Sequence, residues 1–162
     1  MLRQLTVNWD DIRPNLETAA QLTGLEYMQS IMDGSLVPPP IAKLLDFYLA
    51  EVTDGHAIFK GIPGEQHFNP MGTIHGGFSA ILIDSATGCA VHTILPAGKL
   101  YSTAQLNLNM TRPIMPDVGE LICEGNVIHR GSRMATAEAT VKDTKGKLYA
   151  HGTATCFIFD TK

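Results

Sequence analysis

The sequence predicts an α+β protein: a single domain whose long buried helix is wrapped by a mainly antiparallel sheet of about six strands, after an N-terminal helical arm. Three observations carry this. The chain has 162 residues, 44% of them hydrophobic, which suits one core and leaves too little for two. From Gly76 to about Leu95 the apolar residues fall on all sides of a helical projection, the pattern of a buried helix. Before and after that run lie segments that alternate or cluster apolar residues as strands do.

The elements follow in order. Residues 1–40 read as an arm ending in a proline-rich connector, and 41–162 as the core domain. Thr23-Gly24-Leu25-Glu26 has the capping-box pattern, and Leu25, Met28, Ile31 and Met32 follow at helical spacing until Gly34. Val37-Pro-Pro-Pro40 is expected to be an extended connector, because consecutive prolines suit neither helix interior nor central strand. Leu44–Val52 and His56–Ile62 flank Thr53-Asp54-Gly55 as a β-hairpin. Residues 63–75, with Gly64, Asn69, Pro70 and Gly72, read as a loop, and Pro96 and Gly98 end the long helix. Strands are expected at about 100–112, 119–130, 133–143 and 147–159, the last two joined by the turn Asp143-Thr-Lys-Gly146. Two strands, a long helix and four strands is the order of the hotdog fold, with the helix as sausage and the sheet as bun.

Composition narrows the function. Twelve Lys+Arg against sixteen Asp+Glu leave a net charge of −4 without long runs of either sign, so neither a nucleic-acid footprint nor a polybasic membrane patch is expected. Charged residues make up 17%, against about 25% in an average soluble protein, which points to surface covered by other subunits. Cys89, Cys123 and Cys156 are widely spaced and odd in number. With no apolar signal segment near the N-terminus, they read as reduced thiols of a cytoplasmic protein. The most apolar stretch, 74–95, is interrupted by His75, Asp84 and His92, unlike a membrane span. His56, His67, His92 and His151 lack ligand spacing, so no metal is expected, and no dinucleotide fingerprint or nucleophile elbow occurs.

Asp84 is the anomaly, since a mid-helix carboxylate is rarely buried unless paired. Gly77, Ala80 and Gly88 stand at −7, −4 and +4 from it, a small-residue stripe along which another chain or a ligand can approach; a structural carboxylate at an interface fits equally well. His75-Gly76-Gly77 opens the same helix. Two glycines there cost about 1 kcal/mol each in helix propensity, yet leave N–H groups unobstructed where the helix dipole favours a developing oxyanion. Asn69 adds an amide that could orient a carbonyl or a water, though alone it reads as a loop asparagine.

Taken together these residues form N-x-x-G-x-x-H-G-G-x6-D, from Asn69 through Gly72 and His75-Gly76-Gly77 to Asp84. With Thr111-Arg112-Pro113 late in the third strand, residues 40–160 resemble the phenylacetate-pathway (PaaI-type) acyl-CoA thioesterases of the hotdog superfamily. The resemblance implies hydrolysis of an aryl-acyl or short- to medium-chain acyl-CoA, without metal or redox cofactor. Asp84 would be general base or nucleophile, and the Gly76 N–H, with Gly77 as a second donor, the oxyanion hole. Asn69 would position carbonyl or water, His75 would bear on the thioester or shape the loop, and Thr103 matches a position where relatives carry a hydroxyl beside the carboxylate.

Gly76 and Gly77 precede Asp84 by seven to eight residues, or about 10–12 Å along a helix. Both must reach one carbonyl, which two antiparallel helices manage more readily than one. A homodimer with a shared active site is therefore expected, pairing further into a tetramer as this fold commonly does. Arg130 and Arg133, in His129-Arg-Gly-Ser-Arg133, are candidates for the coenzyme A phosphates, although charged hairpin ends are common. Phe47, Tyr48 and Phe59 are candidates for core packing or an acyl pocket. Two other readings share the pocket: a non-catalytic acyl-CoA binding or sensor module, which has no need of Asp84, and an acyl-thioester hydratase or dehydratase.

Overall fold

The computed structural model describes residues 1–161, leaving Lys162 outside. Three helices, α1 (Arg13–Ala19), α2 (Gly24–Met32) and α3 (Pro40–Leu44), precede the hairpin β1 (Phe47–Thr53) and β2 (His56–Gly61). A 3-10 turn at Glu65–His67 and the long α4 (Gly76–Thr93) lead to β3 (Lys99–Met110), β4 (Leu121–Arg130), β5 (Met134–Asp143) and β6 (Leu148–Asp160). The strands form one six-stranded sheet in the order β1-β2-β4-β5-β6-β3, antiparallel throughout. α4 packs across its inner face, as the all-round apolar run predicted.

The core lies between α4 and the sheet. Leu82, Ile83 and Val91 of the helix and Leu121 and Val141 of the strands are fully buried, each stabilising the fold by about 1.5–3 kcal/mol. The fit is closest at Gly125 of β4, where an added Cβ would lie 2.5 Å from the Ala86 carbonyl oxygen of α4. Backbone faces backbone there, with no flexible side chain to move aside. Gly125→Ala is therefore expected to lower unfolding free energy by about 1–3 kcal/mol or more, read from the urea midpoint.

The capping box is present: Thr23 Oγ1 accepts from the Glu26 N–H while the Thr23 N–H donates to the Glu26 carboxylate at 2.8 Å. Asp143 accepts from the Lys145 and Lys147 N–H groups, closing the β5–β6 turn. Three expectations change. α1 was not foreseen, because this seven-residue, largely exposed helix has no apolar period and carries Pro14 in its first turn. Pro40 begins α3 instead of extending the connector: the fixed φ and missing N–H of proline suit a first helical turn. Leu44 consequently ends a helix, and β1 starts at Phe47. β3 also stops at Met110, so Thr111-Arg112-Pro113 follows the strand.

The arm is held firmly. The Gly24 N–H donates to the Leu95 carbonyl at 2.9 Å, and an added Gly24 Cβ would lie 1.7 Å from the His92 carbonyl oxygen. Asn15, 3% exposed, donates to the Val37 carbonyl and ties α1 to the connector. Tyr27 and Met28 of α2 pack with Val52 of β1. No helix among the described residues is long and apolar enough to cross a membrane.

Candidate active site

The loop before α4 is built by its own polar groups. Asn69 Oδ1 accepts from the Met71 and Thr73 N–H groups at 2.9 and 3.2 Å, and its Nδ2 donates to Thr73 Oγ1 at 2.8 Å. One amide N–H of Asn69 is left for a ligand; the rest of the group shapes the turn. Gly72, at φ +74°, supplies the left-handed residue that this turn needs.

His75 is the N-cap of α4. Its Nδ1 accepts from the Gly77 N–H at 2.9 Å, which engages the proposed second oxyanion donor. The Gly76 N–H makes no hydrogen bond among the described residues. Of the two glycines, Gly76 therefore presents the unengaged donor at a helix N-terminus. Asn69, Gly76 and Arg112 line a common groove of about 390 Å³. Arg112, which the sequence offered only within Thr111-Arg112-Pro113, thus brings a cation to this groove.

Asp84 lies two turns further along α4 and is half-buried, and its Oδ1 is inaccessible to solvent with no hydrogen-bond partner. A buried unpartnered polar atom costs about 1–3 kcal/mol, more when charged, and so is rare outside functional sites. Gly88, at +4, does not serve close approach by another chain: Tyr101 of β3 fills that space, its hydroxyl 2.6 Å from where a Cβ would be. The signal in the sequence was a mid-helix glycine needing an outside partner, which only the folded chain identifies.

Thr103 pairs with buried Cys156 of β6 and faces α4 with it, whereas Ser102 pairs with Phe157 on the outer side. Burial pushes the Cys156 thiol up, partly offset by the Thr103 hydroxyl and reinforced by the Asp84 charge. Burial also raises Cys89, to about 12, and Tyr101, again with the Asp84 carboxylate adding to the effect. Asp84, Thr103 and Tyr101 thus share the space between α4 and the β3–β6 edge. The thiols stay protonated near neutral pH.

Arg130 and Arg133 stand apart from these groups. Arg130 pairs with Asp54 of the β1–β2 turn through both guanidinium nitrogens, at 3.2 and 2.6 Å. That turn lies at the opposite end of α4, where the Gly55 N–H donates to Thr93 Oγ1. Within one chain these arginines are therefore at the far end of the helix from Asn69 and Gly76. Two buried histidines escaped the sequence reading as site neighbours. His67 accepts from the Gly64 N–H through Nδ1, so its proton sits on Nε2, which is buried without a partner. His92 packs between Tyr27, against which its ring is tilted, and Tyr101, which it meets edge-on.

Burial lowers His92 from 6.5 to about 4. Above pH 6.5 folded and unfolded chains are both neutral here, and stability is unaffected. As pH falls through 6.5 towards 4, the unfolded chain takes up a proton that the folded one refuses, so stability is lost. The full effect is on the order of 3 kcal/mol. The urea midpoint should fall between pH 6.5 and 4.5, with a shallower slope in His92→Gln.

The chain is similar to known proteins across this region. Residues 71–150 match the family model described as the thioesterase superfamily. A Saccharolobus solfataricus protein assigned as an esterase is 32% identical over 123 residues, covering 75% of this chain and 85% of that protein. Mouse acyl-coenzyme A thioesterase 13 is 30% identical over 90 residues, covering 54% of this chain and 62% of that one. Among solved structures, a phenylacetic acid degradation-related protein of Ralstonia eutropha superposes with a TM-score of 0.74 at 27% identity, covering 81% of this chain and 98% of that one. A mutant of the phenylacetic acid degradation protein PaaI of Thermus thermophilus gives 0.67 at 28% identity, covering 74% and 98%. With Gly72, His75-Gly76-Gly77 and Asp84 of its motif inside the matched residues and its helix laid across a six-stranded antiparallel sheet, the chain belongs to the thioesterase superfamily, as a thioester hydrolase with the hotdog fold.

Proposed function

We propose that the protein hydrolyses an apolar acyl-CoA to the free acid and coenzyme A, with Asp84 delivering the attack and the Gly76 N–H holding the oxyanion. The buried, unpartnered Oδ1 of Asp84 carries this reading. A structural carboxylate would be expected to find a donor, whereas a catalytic one is kept free for water or for the thioester carbon. As general base, Asp84 takes a proton from water while the water oxygen bonds to the carbonyl carbon. As nucleophile, it forms a transient anhydride that water then cleaves. In both, the C–S bond breaks and the thiolate leaves with the coenzyme. His75 acts as cap and loop former, and Asn69 offers its remaining N–H to the carbonyl. Thr103 lends a hydroxyl beside the carboxylate.

We further infer a homodimer with the site at its interface, with further pairing of dimers. β3 has a strand partner on one side only, and its twelve residues leave an unpaired edge that folded proteins ordinarily cover. In such a dimer Gly76 of one chain would meet Asp84 of the other, and Arg130 and Arg133 would approach the partner's groove as candidate phosphate ligands. Free-thiol release from a panel of acyl-CoA thioesters tests the activity. Release by the wild type, lost in Asp84→Asn, supports hydrolysis. Binding of the esters by both proteins with no release would transfer the site to a binding module.

A further inference from the structure

Between the arm and the core lies a second cavity, of about 350 Å³. Its outer wall is Met28, Ile31 and Met32 of α2 with Pro38-Pro39, and its inner wall includes Cys89 and Tyr101. The outer wall lies outside the family match at residues 71–150. It is nonetheless fixed, since α2 is pinned by the Gly24 bond to Leu95 and the connector by Asn15. The inner wall adjoins the turn of α4 that follows Asp84. Cys89 follows Asp84 by five residues on α4, and the Tyr101 ring covers Gly88, which follows it by four. The cavity thus begins about 6–8 Å along the helix axis from the Asp84 backbone position.

No Asp, Glu, Lys or Arg lines the cavity. Its histidine, His92, is held neutral near physiological pH by burial. An occupant carrying a charge would lose its hydration there and gain no counter-charge. Size narrows the choice further: an apolar cavity of about 150 Å³ accommodates a benzene ring, so one ring would leave more than half of this space empty. A water molecule takes roughly 30 Å³ in the liquid, and with a carbon of the chain counted at about that size the volume suits an alkyl chain of about 8–10 carbons with some slack.

We propose that the N-terminal arm closes an acyl-chain cavity beside Asp84, selects an uncharged medium-length alkyl chain, and sets its length through Ile31 and Met32. This rests on the thioester hydrolase reading above for its occupant, and it is tested without hydrolysis. Binding of S-ethyl-, S-decyl-, S-(2-phenylethyl)- and S-(9-carboxynonyl)-coenzyme A thioethers, which the protein cannot cleave, is measured by calorimetry. The wild type is expected to bind the decyl compound at least tenfold tighter than the ethyl, with the terminal carboxylate cancelling that gain. Ile31→Trp, which fills the cavity, should remove at least tenfold more affinity from the decyl than from the ethyl compound. Met32→Ala, at a half-exposed position, should move the preferred length upward in a longer series, and so tests the wall by enlargement. The same decyl-to-ethyl ratio in all three proteins overturns the proposal, as does tolerance of the carboxylate or tighter binding of the phenylethyl compound. A chain-length gradient that responds to Ile31 without thiol release from any thioester would sustain the cavity and defeat the hydrolase reading. Thiol release with a gradient indifferent to both variants would do the reverse.

Discussion

Asp84→Asn is expected to lower thioester hydrolysis by a factor of about 10²–10⁴, the range lost when a positioned acid–base group is removed. The substitution keeps shape and volume and removes only the charge and the basic oxygen, so substrate binding should stay within a few fold. A second readout separates catalysis from architecture. Because Oδ1 is buried without a partner, the carboxylate costs the folded state energy. The neutral amide should therefore unfold at the same or a higher urea concentration, as when a strained functional group is relieved. A carboxylate retained for structure would show the opposite: activity largely kept and stability lost. Reduced activity together with retained or increased stability is the result that identifies Asp84 as the reacting group.

Gly76→Pro should cost about 10²–10³ in kcat, the usual effect of deleting one oxyanion donor. Proline is the informative substitution because it removes the N–H while suiting the first helical position. His75, at φ −61° and ψ 136°, already has the extended conformation required before a proline. The nearest obstacle to a side chain at Gly76 is the sulfur end of Met110, which is exposed and can move. Far-UV circular dichroism should therefore be unchanged while turnover falls. The two variants also test the shared site. If Asp84 and Gly76 of different subunits meet, unfolding and refolding Asp84→Asn and Gly76→Pro chains together yields mixed dimers with one intact site. Activity should then recover to about a quarter of wild type for random pairing into symmetric dimers. No recovery would mean that both groups act from the same chain.

Most of the architecture was legible because it rests on local periods. The switch from alternation to an all-round apolar run and back marked α4 and the surrounding strands, and Thr23–Glu26 and Asp143–Gly146 announced their own cap and turn. α1 and α3 were not legible: each is short, and its apolar residues report contacts with distant elements instead of a period of its own. At the candidate site the residue types and spacing from Asn69 to Asp84 could be read directly, but their division of labour could not. Asn69 turns most of its amide inward, and His75 takes the Gly77 N–H, leaving that of Gly76 as the unengaged donor. Arg130, offered for phosphate, is held by Asp54 across a neighbouring turn.

By itself, then, the sequence determined the order of elements, the long buried helix and the chemical groups gathered at its start and middle, because each is written in the spacing of neighbouring residues. The tertiary structure decided which groups are free to act, and that Tyr101 fills the space over Gly88. It also closed a cavity between the arm and the core. Those outcomes depend on which residues far apart in the chain come within a few ångströms of one another, and no local period encodes that.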